Sequence, residues 1–300
     1  MIVSAPMLFA FAEDLPLARR LASAADAELG ELATHTFPDG ETYLRLMTDC
    51  AMRDVIIVCS LHQPNARALP LLFLADTARQ HDAARVGLVA PYLGYMRQDI
   101  EFQPGEAVTA RTFGTLFSNA VDWIMTVDPH LHRIRRLSDV YRIPAVTLHA
   151  TREVGEWIAE HVSTPIVIGP DRESAQWASR IAREAACPYV VLDKVRRGDA
   201  SVTVSLPDDT RFTSSTPVLV DDIIATGRTM VTAAEQLRAR GAAPPVCVGV
   251  HAVFVAGAHE ALVDAGVSRI VTTNTIEHES NAIDVVPLIA HALHERARFD

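Results

Sequence analysis

Residues Pro217-Val218-Leu219-Val220-Asp221-Asp222-Ile223-Ile224-Ala225-Thr226-Gly227-Arg228-Thr229 run from an apolar stretch, through two carboxylates and a small-residue turn, into a helical pattern. A short apolar run bounded by charge and turn residues reads as a strand buried on both faces. The first amides of a helix lack intrahelical partners and carry the positive end of its dipole, so the turn suits a phosphate. Thr226 and Thr229 add hydroxyl donors. Asp221 and Asp222 can accept hydrogen bonds from two vicinal sugar hydroxyls. Two aspartates alone would read as solvated charge beside an N-capped helix; the whole string reads as a grip for ribose 5-phosphate.

The same alternation extends in both directions. Strand patterns fall at residues 7–11, 54–59, 85–90, 121–127, 165–169, 189–192, 217–221, 246–253 and 269–273. Helical patterns fall at 15–29, 66–81, 152–161, 174–186, 229–240, 258–265 and 287–296. Strands alternating with helices predict an α/β protein whose sheets are mainly parallel and flanked by helices. Residues 138–149 read as a domain connection. The expected division is an N-terminal domain over 1–145, joined by a terminal helix at 285–300, and a similar C-terminal domain over 146–284. In such sheets ligands gather at the carboxyl ends of strands, where several polar clusters fall.

The 300 residues suffice for two cores, and 49% hydrophobic with 21% charged residues is a globular composition. A net charge of −10 argues against a general nucleic-acid binder but leaves room for a local anion site. Cys50, Cys59, Cys187 and Cys247 are scattered without a CxxC pair, which argues against structural zinc or a disulfide framework. The N-terminus lacks a basic segment before its short apolar stretch. Residues 241–259 carry no Asp, Glu, Lys or Arg but contain Pro244 and Pro245, and read as a buried strand rather than a membrane span. The expectation is a soluble cytoplasmic protein without membrane or nucleic-acid partners. Of the 27 basic residues, only Lys194 is a lysine. Arg and Lys exchange freely on solvated surfaces but not where a compact ammonium is needed, so Lys194 is either a chance survivor or a functional group.

Further segments extend the pattern of Asp221–Thr229 to most of the chain. They are Phe37-Pro38-Asp39-Gly40-Glu41, Pro91-Tyr92-Leu93-Gly94-Tyr95-Met96-Arg97-Gln98-Asp99, Asp128-Pro129-His130-Leu131-His132, Gly169-Pro170-Asp171-Arg172-Glu173-Ser174 and Asp193-Lys194-Val195-Arg196-Arg197. Together they resemble the ribose-phosphate pyrophosphokinase family, which has the type I phosphoribosyltransferase fold in both domains. The resemblance implies Mg²⁺-dependent transfer of the β,γ-diphosphoryl group of ATP to the C1 hydroxyl of ribose 5-phosphate. It also implies self-association into a dimer or higher homo-oligomer.

The resemblance assigns roles by position. Phe37, Asp39 and Glu41 would contact adenine, often from a neighbouring subunit. Arg97, Gln98, Asp99 and His130 would hold ATP. His130 and Asp171 would bind Mg²⁺. Lys194 and Arg196 would close over the phosphates as a catalytic flexible loop. Asp221, Asp222, Ala225, Thr226, Gly227, Arg228 and Thr229 would bind ribose 5-phosphate. Three departures mark a divergent, archaeal-like or plant-like branch. Glu173 and Ser174 replace paired glycines, with Ser174 expected to cap the following helix. Residues 100–107 are not basic, and Arg228 replaces a glycine. The alternatives are a phosphoribosyltransferase acting on a base and a non-catalytic regulatory homologue.

Overall fold

The computed structural model describes residues 5–169, 174–197, 201–205 and 210–297. The chain divides into two compact units, one running to Leu148 and resuming at Val286, the other His149–Val285.

In chain order the first unit contains β1 (Met7–Ala10), α1 (Leu15–Ala24), β2 (Glu28–Leu29), β3 (Leu32–Thr36), β4 (Thr42–Leu46), β5 (Asp54–Val58), α2 (Pro64–Gln80), β6 (Arg85–Ala90), α3 (Thr109–Ala120), β7 (Trp123–Val127) and β8 (Ala145–Leu148). Six strands form a parallel sheet in the order β2-β1-β5-β6-β7-β8, and β3 and β4 form a separate antiparallel hairpin. The second unit contains α4 (Thr151–His161), β9 (Pro165–Gly169), α5 (Ala175–Glu184), β10 (Tyr189–Val191), β11 (Asp193–Arg197), β12 (Ser201–Ser205), β13 (Thr216–Ile224), α6 (Arg228–Ala239), β14 (Val246–Ala252), α7 (Ala258–Asp264), β15 (Arg269–Thr273) and β16 (Asn281–Ile283). Its parallel sheet runs β10-β9-β13-β14-β15-β16, and β11 pairs with β12 in an antiparallel hairpin. A last helix, α8 (Val286–Ala297), packs against α1 in the first unit.

The two parallel sheets wind alike. Each has one strand whose successor lies on one side while the rest of the sheet grows on the other: β1 in the first, β9 in the second. Such reversals open a crevice at the strands' carboxyl ends. In the first unit that place, between β1 and β5, is filled from within. The buried Arg67 guanidinium pairs with both Glu13 and Asp14, and Asp14 Oδ1 accepts the Ser60 N–H at 3.1 Å.

Every residue of β14 is buried, so the uncharged stretch 241–259 contains an interior strand. No helix among the described residues is long and apolar enough to cross a membrane.

Some local expectations change. The helix predicted over 15–29 stops at Ala24, because Asp26 adopts a left-handed backbone (φ 51°) and the chain turns into β2. Residues 145–148, read as connection, form a strand that pairs with β7 at the edge of the sheet among the described residues. Helix α3 has no strong sequence signal, since Thr, Gly, Phe and Asn are weak helix formers. It forms because Ala110, Phe113, Gly114 and Phe117 make one buried stripe. Gly114 is required there, as a Cβ would stand 2.6 Å from the Val140 carbonyl oxygen. Residues 193–197, expected as a loop, lie in a hairpin strand.

Candidate functional site

Strand β13 continues through Asp221 and Asp222 to Ile224, so both carboxylates ride on the strand rather than on the turn after it. Both are half-buried, and the Asp222 N–H donates to Asp221 Oδ1 at 3.0 Å. The register places Asp221 opposite Gly249 of β14. Ile224 occupies the space beside that glycine, because a Cβ there would stand 2.6 Å from Ile224 Cγ1. Beyond the strand, the Ala225 carbonyl accepts the Val255 N–H at 3.1 Å. Gly227 then starts α6 with a left-handed backbone (φ 63°), a conformation glycine adopts without strain. No side chain caps α6, so its first amides remain free of intrahelical partners. Thr226 and Arg228 are exposed at this end. A helix start of this kind, a few residues after two carboxylates, is an arrangement that can hold a phosphate.

In the first unit, three segments carry the remaining motif residues. The segment after β6 is held from several directions. The Leu61 N–H donates to the Tyr92 carbonyl at 2.8 Å, the Tyr95 hydroxyl bonds Asn65, and the Val127 N–H donates to the Pro91 carbonyl at 3.3 Å. Gly94 lies against the Leu61 carbonyl, which a Cβ would approach to 2.7 Å. Arg97 is exposed and Gln98 half-buried, whereas Asp99 is only 3% exposed. The segment after β7 starts from the buried Asp128, whose backbone is left-handed (φ 34°) and whose N–H donates to the Leu148 carbonyl at 2.8 Å. His130 is half-buried, His132 exposed, and their ring centroids lie 4.0 Å apart.

Phe37, Asp39 and Glu41 stand at the exposed tip of the β3–β4 hairpin. The tip is closed by the Phe37 N–H to the Glu41 carbonyl (2.8 Å) and the Gly40 N–H to the Phe37 carbonyl (2.9 Å). Sequence reasoning missed His35 and Tyr43, which support Phe37. They are cross-strand partners in the register and stack at 4.5 Å, while His35 meets the Phe37 ring edge-on at 4.6 Å. Their alternate spacing around the turn was the available signal.

Lys194 and Arg196 lie on β11, opposite Val204 and Val202 of β12. Asp171, with Arg172 and Glu173, lies outside the described residues. Ser174 occupies the position before α5, but its side chain makes no capping hydrogen bond, contrary to expectation; its backbone is already helical (φ −77°, ψ −6°), not the extended form a capping residue takes. Among the described residues no group of three or more His, Cys, Asp or Glu could enclose a metal ion.

Residues 6–120 match the N-terminal domain of ribose phosphate pyrophosphokinase, and residues 144–287 the phosphoribosyl transferase domain. A ribose-phosphate pyrophosphokinase of Methanopyrus kandleri is 33% identical over 290 residues, covering 96% of this chain and 98% of the relative. The chain belongs to the ribose-phosphate pyrophosphokinase family. A family member from Sulfolobus acidocaldarius is also 33% identical, over 89% of this chain and 92% of its own length. The crystal structure of phosphoribosylpyrophosphate synthetase from Mycobacterium smegmatis shares the fold, with a TM-score of 0.86 over 99% of this chain and all of that one at 24% identity. The archaeal relatives agree with the divergent branch that the altered residues 100–107, 173–174 and 228 mark.

Proposed function

We propose that this ribose-phosphate pyrophosphokinase family enzyme converts ATP and ribose 5-phosphate into AMP and 5-phosphoribosyl 1-diphosphate. The observation that carries the reading is the cradle at the start of α6, with uncapped amides, Thr226, Thr229 and two upstream carboxylates. A phosphorylated ribose offers the phosphate and vicinal hydroxyls that this array matches.

The ribose C1 oxygen attacks the β-phosphorus of ATP. The bond from that phosphorus to the α–β bridging oxygen breaks, AMP leaves with the bridging oxygen, and the hydroxyl proton is released. No side-chain nucleophile is required, so the protein supplies positioning and charge neutralisation. Arg97 and Gln98 hold the nucleotide phosphates and His130 helps fix them, while Phe37, Asp39 and Glu41 meet adenine. Lys194 and Arg196 stabilise the charge that develops on the transferring group. Asp221, Asp222 and residues 225–229 orient the sugar. The cofactor would be Mg²⁺, which His130 and Asp171 would help hold and which would neutralise phosphate charge. The exposed Phe37 hairpin supports self-association, in which the tip reaches a neighbouring subunit's nucleotide. We assign the protein to the cytoplasm, where both substrates are found.

The test is direct. Purified protein is incubated with Mg²⁺, ATP and ribose 5-phosphate, and AMP is measured. AMP release that depends on ribose 5-phosphate is the expected result; no AMP above background overturns the reading.

A further inference from the structure

Asp99 sits beside two residues that face outward, Arg97 and Gln98, yet its own carboxylate faces inward and is 3% exposed. A buried carboxylate needs donors, and these come from the segment after β7. Asp99 Oδ2 accepts the Arg133 backbone N–H at 2.9 Å, and the Arg133 guanidinium stands 3.5 Å from Oδ1. Burial pushes this carboxyl up, but backbone amides, that of Arg133 foremost, and the Arg133 charge outweigh it and hold it below the ordinary aspartate value. The Arg133 guanidinium also covers the Phe102 ring at 4.9 Å from its centroid. Phe102 itself is held by Glu106, whose Oε2 accepts the Phe102 and Gln103 N–H groups at 2.9 and 3.1 Å. The Ala110 N–H, at the start of α3, donates to the Gln98 carbonyl at 3.3 Å.

We infer that Asp99 is a positioning residue: its carboxylate ties the segment carrying Arg97 and Gln98 to the segment carrying His130, so the two nucleotide-binding segments act as one piece. The inference rests on the nucleotide role proposed for those three residues. A carboxylate placed against a polyphosphate would repel it. Turned inward and satisfied by amides, the same group braces the groups that do bind. Asp99 therefore acts through Arg97, Gln98 and His130 without touching ATP or metal.

The experiment compares Asp99→Ala, Asp99→Asn, His130→Ala and the Asp99→Ala/His130→Ala double variant, each checked for folding by circular dichroism. ATP affinity is measured by calorimetry with Mg²⁺, alongside KM for each substrate and the half-saturating Mg²⁺ concentration. The expected result for Asp99→Ala is about tenfold weaker ATP binding, with KM for ribose 5-phosphate unchanged within about twofold and the Mg²⁺ requirement raised no further than His130→Ala raises it. Asp99→Asn keeps an acceptor for the Arg133 amide, loses the charge facing its guanidinium, and weakens ATP binding only about threefold. The double variant binds ATP no more than about twofold more weakly than His130→Ala, because coupled residues are non-additive. Additive losses, a Mg²⁺ requirement raised beyond that of His130→Ala, or unchanged ATP affinity would each overturn the inference. Should Asp99→Ala not fold, Asp99→Asn decides it: a loss of about threefold for ATP alone supports the inference, and equal loss for both substrates or none sinks it. If the wild type binds ATP but releases no AMP, the activity reading fails, and the binding measurements still decide the role of Asp99.

Discussion

The Arg296 guanidinium of α8 lies 4.1 Å from the ring centroid of Trp123 in β7. A cation over an indole is worth about 0.5–1 kcal/mol at a partly exposed site. Arg296→Met keeps the apolar stem and removes the charge, so the expected cost is that much, read as a lower melting midpoint in guanidinium or heat. An unchanged midpoint would show that the stem alone provides the contact.

Trp123 also meets Gly87, its partner in the β6–β7 register. A Cβ on Gly87 would stand 1.9 Å from the indole Cε2. Gly87→Ala must displace the ring from a packed sheet face, and overpacking of this kind costs about 1–3 kcal/mol. Denaturant unfolding checks it. A wild-type midpoint would mean that the indole has an alternative rotamer with room to spare.

Lys194 is the single lysine of the chain. With the role proposed for it, Lys194→Ala lowers turnover by at least about tenfold, or ~1.4 kcal/mol of barrier. Lys194→Arg does not restore the rate, since the guanidinium differs from an ammonium in shape and hydration. Steady-state AMP formation measures both, and full activity in the arginine variant would return Lys194 to the status of a chance survivor.

Asp221→Asn preserves shape and removes a charge that, in the proposed site, accepts sugar hydroxyls. KM for ribose 5-phosphate is expected to rise about tenfold or more while KM for ATP holds within about twofold. A rise confined to ATP would contradict the assignment of this strand end to the sugar.

Asp14 provides a pH test. Burial pushes its carboxyl up to about 6, although the Arg67 guanidinium and the Ser60 amide pull it down. Because the folded value lies above the unfolded one, the native state holds this proton more tightly. The corresponding stability is complete below the unfolded value near 4 and is lost as pH rises through about 6. The size is on the order of 1–3 kcal/mol. Subtracting the pH profile of Asp14→Asn from that of the wild type isolates it; a flat difference between pH 4 and pH 7 would exclude the raised value. Arg67→Ala strands the buried Asp14 carboxylate and is expected to cost about 3–5 kcal/mol.

Much of this was legible in the chain. The strands at 85–90, 165–169 and 269–273 match β6, β9 and β15 to the residue, because each centres on a short run of apolar or β-branched residues closed by turn or polar residues. Helix α3 and strand β8 were not legible. The first has weak local propensity and is held by the burial of Phe113 and Phe117; the second is a half-buried edge strand whose residues carry no continuous apolar signal. In the candidate site, the motifs marked the segments but not the direction of each side chain. Within Arg97-Gln98-Asp99 all three residues are polar and nothing local separates them.

The sequence by itself determined the αβ alternation, the family and the strand–carboxylate–turn–helix order around Asp221, because these depend on apolar periodicity and turn chemistry over neighbouring residues. Only the tertiary structure decided that Asp99 turns inward onto Arg133 while Arg97 faces solvent, that Trp123 fills the space above Gly87, and that His35 and Tyr43 brace Phe37. Each of these joins residues that the chain itself holds apart, and the donors, space or ring that each residue needs exist only once the other segment has packed beside it.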